Sequence, residues 1–254
     1  MRFLLTNDDG ILAHGLDVLE RATRPLGDVW VVAPDREQSA TSHSLTVHHP
    51  LRPVQHDERR WQVDGTPTDC VLLAVEALLP ERPDFVLSGV NHGQNLGEDV
   101  LYSGTVAAAM EGLACGVPSI AFSFAGGVLR SNKSMLDQQV DLITQLLRHF
   151  TSAAPFPPGT LLNVNLPPAT GAEVRGARLT RLGRRVFSQS LRSLEDPWGR
   201  KMYWIGGGSA TWDDSIENSD IKAIQEKFVS VTPLHLDLTH ATAIDQADAW
   251  WRPL

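Results

Sequence analysis

Phe85-Val86-Leu87-Ser88-Gly89-Val90-Asn91-His92-Gly93-Gln94-Asn95, then Thr105-Val106-Ala107-Ala108-Ala109-Met110-Glu111-Gly112-Leu113-Ala114-Cys115, then Ser119-Ile120-Ala121-Phe122-Ser123-Phe124 is the run that decides the fold. Phe85–Leu87 is a short apolar run and reads as a buried strand. Thr105–Cys115 sets Val106, Met110 and Leu113 on one face and reads as a helix. Ser119–Phe124 reads as a second strand. A helix of this length between two buried strands is a crossover between parallel neighbours.

The pattern repeats outward from there. Phe3–Thr6 is a short strand, Leu16–Arg24 a helix with Leu16 and Leu19 one turn apart, and Val29–Ala33 a strand stopped by Pro34. Gly65-Thr66-Pro67-Thr68-Asp69 opens a helix that runs to Pro80, with Thr66 as N-cap, Pro67 at the first turn and Asp69 at the third position. Leu72, Val75 and Leu79 share one face of it. Leu136–Phe150 is an amphipathic helix and Leu161–Asn165 a strand closed by Pro167-Pro168. Two regions break the rhythm. Ser44–His49 and Trp61–Val63 flank a polar stretch and predict an antiparallel excursion. Residues 176–212 hold short apolar segments such as Met202–Ile205 between charged and Gly-rich stretches, which predicts a projecting hairpin or arm. Phe228–Thr232 reads as a last strand, and a short terminal helix follows Leu236. The expectation is an α/β fold with a doubly wound, mostly parallel sheet, as one domain over residues 1–254 with an arm.

Bulk properties narrow the function. The chain has 254 residues, with 22 Lys and Arg against 30 Asp and Glu, a formal net charge of −8. Such a chain repels nucleic-acid backbone unless a local basic patch intervenes. Arg181, Arg184, Arg185 and Arg192 are the best candidates, and their spacing reads as a solvated hairpin face. No apolar run approaches the roughly 20 residues that span a bilayer. Phe3-Leu4-Leu5 is too short for a signal segment, so a cytoplasmic protein is expected. Cys70 and Cys115 sit in apolar helical patterns and read as small buried hydrophobes.

In open parallel sheets ligands bind at the carboxyl ends of the strands. Asn7-Asp8-Asp9-Gly10, Asp35-Arg36-Glu37-Gln38-Ser39 and Ser88–Asn95 follow three of the strands and converge on one rim. Adjacent carboxylates at Asp8 and Asp9 repel, and a hard dication with oxygen ligands removes that penalty. Ser39 and Asn91 offer a hydroxyl and an amide oxygen. A plain Asp-Asp-Gly turn, or a receiver-like acidic pocket, accounts for the pair equally well. Ser103-Gly104-Thr105 precedes a strong helix, where free N–H groups and hydroxyls make an anion site or an ordinary cap. Among the nine histidines, His43 and His92 lie closest to these loops. The fingerprints G-x-G-x-x-G after a strand, G-x-x-x-x-G-K-[ST], H-E-x-x-H and G-x-S-x-G are absent from the sequence.

These blocks together resemble the stationary-phase survival protein SurE family of nucleotidases. The resemblance rests on Thr6–Gly10, Val32–Arg36 through Ser39, Gly65–Cys70, Ser88–Asn91 through Glu111-Gly112, Tyr203–Gly206 and Ser230–His235. It implies a Rossmann-like, three-layer fold and a homodimer or homotetramer built partly through the arm. It implies metal-dependent removal of phosphate from nucleoside monophosphates, with one magnesium or manganese ion per subunit. Metal ligands are expected at Asp8, Asp9, Ser39 and Asn91, and phosphate contacts at Asn95, Ser103, Gly104 and Thr105. Asp8 and Asp9 carry the catalytic role, by direct attack of water or through an aspartyl-phosphate. No stable nucleic-acid or membrane partner is expected. A non-catalytic nucleotide-binding regulator, or a phosphatase for another ester or for polyphosphate, is the competing reading. One departure is Asn218-Ser219-Asp220, where such proteins often carry Gly-Thr-Asp.

Overall fold

In the computed structural model the described residues are 1–126, 133–152, 155–186, 191–205, 211–213, 215–247 and 251. In chain order the main elements are β1 (Arg2–Thr6), α1 (His14–Thr23), β2 (Asp28–Pro34), β3 (Pro53–Asp57), β4 (Arg60–Val63), α2 (Pro67–Leu73), β5 (Phe85–His92), α3 (Gly104–Ala114), β6 (Ser119–Phe124), α4 (Lys133–Asp137), α5 (Val140–Ser152) and β7 (Thr160–Leu166). There follow β8 (Ala177–Leu179), β9 (Arg185–Val186), β10 (Leu191–Glu195), β11 (Lys201–Ile205), β12 (Thr211–Trp212), α6 (Asp220–Gln225), β13 (Val229–His235) and α7 (Ala241–Asp245). Nine strands form one sheet in the order β3-β4-β2-β1-β5-β6-β7-β13-β8. From β4 through β7 every neighbour is parallel.

Strands buried on both faces need apolar residues at every position, not at alternate ones. Phe3 and Leu5 point to one core with Val31, Leu87, Ile120 and Phe122, under Leu16 and Leu19 of α1 and Ile143 and Leu147 of α5. Leu4, Trp30, Val32 and Val86 point to the opposite core, under Cys70 and Val71 of α2, Ala74 just after it and Ala108 of α3. The result is a three-layer, doubly wound sheet. From β1 the chain winds to β2 on one side and to β5 on the other, so the switch point lies between β1 and β5.

Several expectations shift. Ser44–His49 forms no strand; the antiparallel partner of β4 is β3. Thr46 is taken instead by Asp69, whose Oδ1 and Oδ2 accept its N–H (2.9 Å) and hydroxyl (2.6 Å). The buried face here is Cys70 and Val71 of α2 with Ala74 just after it, and Leu72 is half-buried. The expected cap is present as a full capping box between Thr66 and Asp69. Leu136–Phe150 is divided between two helices, and at the break Gln139, 1 % exposed, donates its side chain to the Ala169 carbonyl at 2.7 Å. β5 runs to His92, so Ser88 to Asn91 belong to the strand and not to the loop after it. Among the described residues no helix is long and apolar enough to cross a membrane.

The arm region contains a hairpin, β10 against β11, with every residue exposed. Its root is fixed. Arg185 donates its N–H to Glu98 at 2.7 Å and its guanidinium to Asp99 at 2.7 Å, so this arginine is no solvated face residue. Asp220 of α6 accepts the N–H groups of Gly97 and Gly183 at 2.9 and 2.8 Å, tying the root to the segment before α3. The Asn218-Ser219 departure is accommodated here. Asn218 holds a φ of +56°, which asparagine tolerates better than other non-glycine residues. Ser219 caps α6 by accepting from Lys222 N–H.

Candidate active site

The switch point opens into a cleft of about 960 Å³. Asp8, Asp9, Ser39, Asn91, Asn95 and Ser103 all line it. Gly104 and Thr105 stand behind its wall, against Asp8.

The turn after β1 explains why both carboxylates are available. Asn7, fully buried, makes the turn by itself: its Nδ2 donates to the Gly10 carbonyl at 3.0 Å and its Oδ1 accepts the Gly10 N–H at 3.2 Å. Gly10 sits at φ +98°, a conformation that suits glycine. Neither aspartate is spent on the turn. Asp8, 4 % exposed, accepts the Thr105 hydroxyl at Oδ1, and Asp9 accepts the His92 N–H at 3.3 Å. Burial lifts the Asp8 carboxyl to about 6; the Thr105 hydroxyl opposes that rise and the Asp9 charge adds to it. Asp9 is raised as well, by burial and by Glu37, against the pull of the His92 N–H. The group facing Asp9 is the His92 ring, Nδ1 at 3.5 Å, and burial pushes that imidazole towards its neutral form. The acidic pair is therefore poorly compensated by the protein itself.

Neutral oxygens complete the donor set. Ser39 Oγ donates to Glu37 at 2.8 Å, leaving its lone pairs, and Asn91 uses Nδ2 on the Gly93 carbonyl at 2.9 Å, leaving its amide oxygen. Among the described residues no cluster of three or more His, Cys, Asp or Glu side chains is arranged to hold a metal. The site offers two carboxylates, a hydroxyl and an amide oxygen, which fits a hard dication that keeps several waters.

The anion side is built from α3 and β7. Ser103 caps α3 by accepting the Val106 N–H at 3.1 Å, and its own O–H is left to donate. Asn95 is clamped by two asparagines on the same face of β7. Asn163 and Asn165 donate to its carbonyl at 2.9 and 3.0 Å, and Asn165 accepts its N–H at 2.9 Å. Ser123 takes one Asn95 amide hydrogen at 2.7 Å, and the second remains. The Thr105 hydroxyl donates to Asp8, so it also holds a carboxylate in place. Gly104 makes that contact possible: a Cβ there would lie 2.8 Å from Asp8 Cβ and 3.1 Å from its Oδ2. Gly104→Ala should therefore displace Asp8 and lower turnover about 10- to 100-fold with little loss of folded protein, measured as kcat alongside thermal unfolding.

Other lining residues had no local sequence signal. Glu37 lies in the loop after β2 and His14 begins α1, neither in a motif, and Arg185, Lys133 and Ile205 reach the cleft from far along the chain. His92 lines the cleft, whereas His43 pairs with Glu111 at 2.8 Å and does not.

Comparison with known proteins matches this arrangement. The family of Survival protein SurE matches residues 3–189. The chain belongs to the SurE family. A protein of Gemmatimonas aurantiaca named 5'-nucleotidase SurE is 66 % identical over 252 residues, covering 99 % of both chains. One from Myxococcus xanthus with the same name is 48 % identical, covering 98 % of this chain and 93 % of that one. The crystal structure of the SurE protein from Aquifex aeolicus superposes with a TM-score of 0.86 at 40 % identity, covering 98 % of this chain and 99 % of that one. The Aquifex aeolicus SurE structure thus shares this fold over nearly the whole chain.

Proposed function

We propose that this chain is a metal-dependent phosphomonoesterase that hydrolyses nucleoside monophosphates to nucleoside and inorganic phosphate. One observation carries the reading: the acidic pair and the helix-start anion site are in direct contact, through the Thr105 hydroxyl on Asp8. Relatives named 5'-nucleotidase SurE along the full length supply the substrate class.

Asp8, Asp9, Ser39 and Asn91 would hold the cation. Bound there, magnesium or manganese supplies charge neutralisation at the phosphate and a lowered pKa for the attacking water. Thr105 fixes the Asp8 carboxylate in one orientation. Ser103 O–H, the free Asn95 amide hydrogen and the N–H groups at the start of α3 donate to phosphate oxygens as charge redistributes. Asp9, the less buried of the pair, is placed to take the water's proton. A chirally labelled phosphate ester should show net inversion; net retention would move Asp8 to the role of nucleophile.

The deciding assay is phosphate release from nucleoside monophosphates with each divalent metal and with chelator. Release with magnesium or manganese that stops with chelator is expected. Binding without release would favour a regulator, and release from polyphosphate alone a different substrate.

The arm supports a homo-oligomer as the working form. Pairing in the hairpin puts Leu194, Met202 and Trp204 on one face, and these are 48 %, 46 % and 67 % exposed. Trp204→Glu with Met202→Glu should lower the solution mass measured by light scattering to that of a smaller species, because two buried charges would face a second copy.

A further inference from the structure

We propose that Asn163 and Asn165 of β7 and Ser123 of β6 are positioning residues for the reaction: they hold Asn95 so that its remaining amide hydrogen meets the phosphate. The inference rests on the nucleotidase reading and adds what keeps that donor in place.

β7 lies inside the sheet, where both faces are covered and apolar residues are the rule. Leu162, Val164 and Leu166 follow it on the face towards α1 and α5. The opposite face carries Asn163 and Asn165, both fully buried. A buried amide is destabilising unless it is hydrogen-bonded. Here both amides are given to one residue. Asn95 stands between β5 and α3, outside any helix or strand, and its N–H and carbonyl are answered by these two side chains. The asparagines take the place of the strand neighbour that such a segment lacks. Ser123 is in register with Asn165 on the adjacent strand and shares its face. It fixes the Asn95 side chain by accepting from Nδ2 at 2.7 Å. Asn95 is thus held at its N–H, its carbonyl and one amide hydrogen from a single patch of sheet, and it lines the cleft.

Two observations separate positioning from packing. Asn163 Oδ1 is buried and, among the described residues, has no hydrogen-bond partner. Leucine would fill the same space without that unpaired acceptor, so the asparagine is there for its N–H. The Ser230 and Thr232 hydroxyls, opposite Asn165 and Asn163 on β13, both bond the Thr180 hydroxyl at 2.8 Å. They leave the two amides to Asn95. A donor fixed in advance stabilises developing charge without being ordered during the reaction.

The test is a set of double-mutant cycles with Asn95→Ala, which removes the donor and keeps the backbone that the asparagines hold. Each cycle is read on kcat for adenosine monophosphate with Mn²⁺ and, apart from turnover, on calorimetric binding of orthophosphate to the Mn²⁺-loaded protein. Alone, Asn165→Leu should lower kcat about 10- to 100-fold, and Asn163→Leu and Ser123→Ala about 3- to 10-fold each. Orthophosphate affinity should fall by about 3- to 10-fold in all three, while Mn²⁺ affinity stays within about twofold of wild type. In the Asn95→Ala background each substitution should move either readout by less than about twofold. Losses of the same size with and without the Asn95 side chain would overturn the proposal, as would wild-type kcat in Asn165→Leu. Asn165→Leu leaves the Asn95 N–H without its acceptor; if that variant does not fold, the Asn163→Leu and Ser123→Ala cycles decide alone, because Asn165 then still holds the peptide. If wild type releases no phosphate from any nucleoside monophosphate, the nucleotidase reading fails, and the orthophosphate cycle still decides the positioning.

Discussion

Asp8→Asn and Asp9→Asn should each lower kcat by about a thousandfold, near 4 kcal/mol of barrier, while the protein stays folded. The physical case differs between the two. Asp8 is 4 % exposed with its carboxyl raised to about 6, so replacing it by a neutral isostere removes an ion that burial disfavours. Folding should therefore tolerate Asp8→Asn, and thermal unfolding of the metal-free protein should move by no more than a few degrees. The lost charge matters only to a cation, so calorimetric binding of Mn²⁺ should weaken in parallel with turnover. Asp9→Asn removes the more open carboxylate while its amide oxygen can still accept the His92 N–H, and should cut turnover by as much with a smaller loss of ion affinity. Thr105→Val, which leaves Asp8 without its hydroxyl partner, should cost about 10- to 100-fold in ion affinity, and Thr105→Ser should recover most of it. Wild-type turnover in either aspartate variant would remove that residue from the site.

The parallel core and the rim of the site were legible in the sequence because each rested on local chemistry. Apolar runs such as Phe3–Leu5 and Ile120–Phe122 leave no polar face, so they had to be covered by helices on both sides. Asn7-Asp8-Asp9-Gly10 is a turn that follows the Phe3–Thr6 strand at once, which put the acids at the carboxyl end. The arm's position over the cleft was not legible. Arg185 and Ile205 are separated from Asp8 by most of the chain, and only the tertiary ties of Asp99, Glu98 and Asp220 bring the root there. The contact between Thr105 and Asp8 was not legible for a similar reason. The hydroxyl lies in a helix-start motif that suits both a ligand and a neighbour, and the absent Cβ of Gly104 lets Asp8 approach it. Ser44–His49 looked like a strand because its alternation was real; Asp69 captured its backbone and hydroxyl first.

Gly89→Ala should damage the fold strongly, lowering the melting temperature by about 5–20 °C. β5 pairs with β6 in register up to Ser88↔Ala121, then shifts, and resumes at Asn91↔Ser123. Gly89 sits in that irregularity, fully enclosed, with φ +128°. A Cβ there would lie 2.2 Å from the Phe122 carbonyl oxygen, a backbone atom that cannot turn aside. The conformation alone costs about 1–3 kcal/mol for an L-residue, and the overlap about 1–3 kcal/mol more. For a chain of this size each kcal/mol is about 2–4 °C. Gly159→Ala gives the comparison, since Gly159 has φ +73° with nothing within 4 Å of its Cβ position. It should cost only about 1 kcal/mol. The register shift also aims Asn91 and His92 at the cleft, so any Gly89→Ala protein that folds should bind Mn²⁺ more weakly than Gly159→Ala does. Scanning calorimetry of the three metal-free proteins checks the first claim. A Gly89→Ala midpoint within a degree or two of Gly159→Ala would mean that the strand can open around a methyl group, and that the shift in β5 does not hold Asn91 in place.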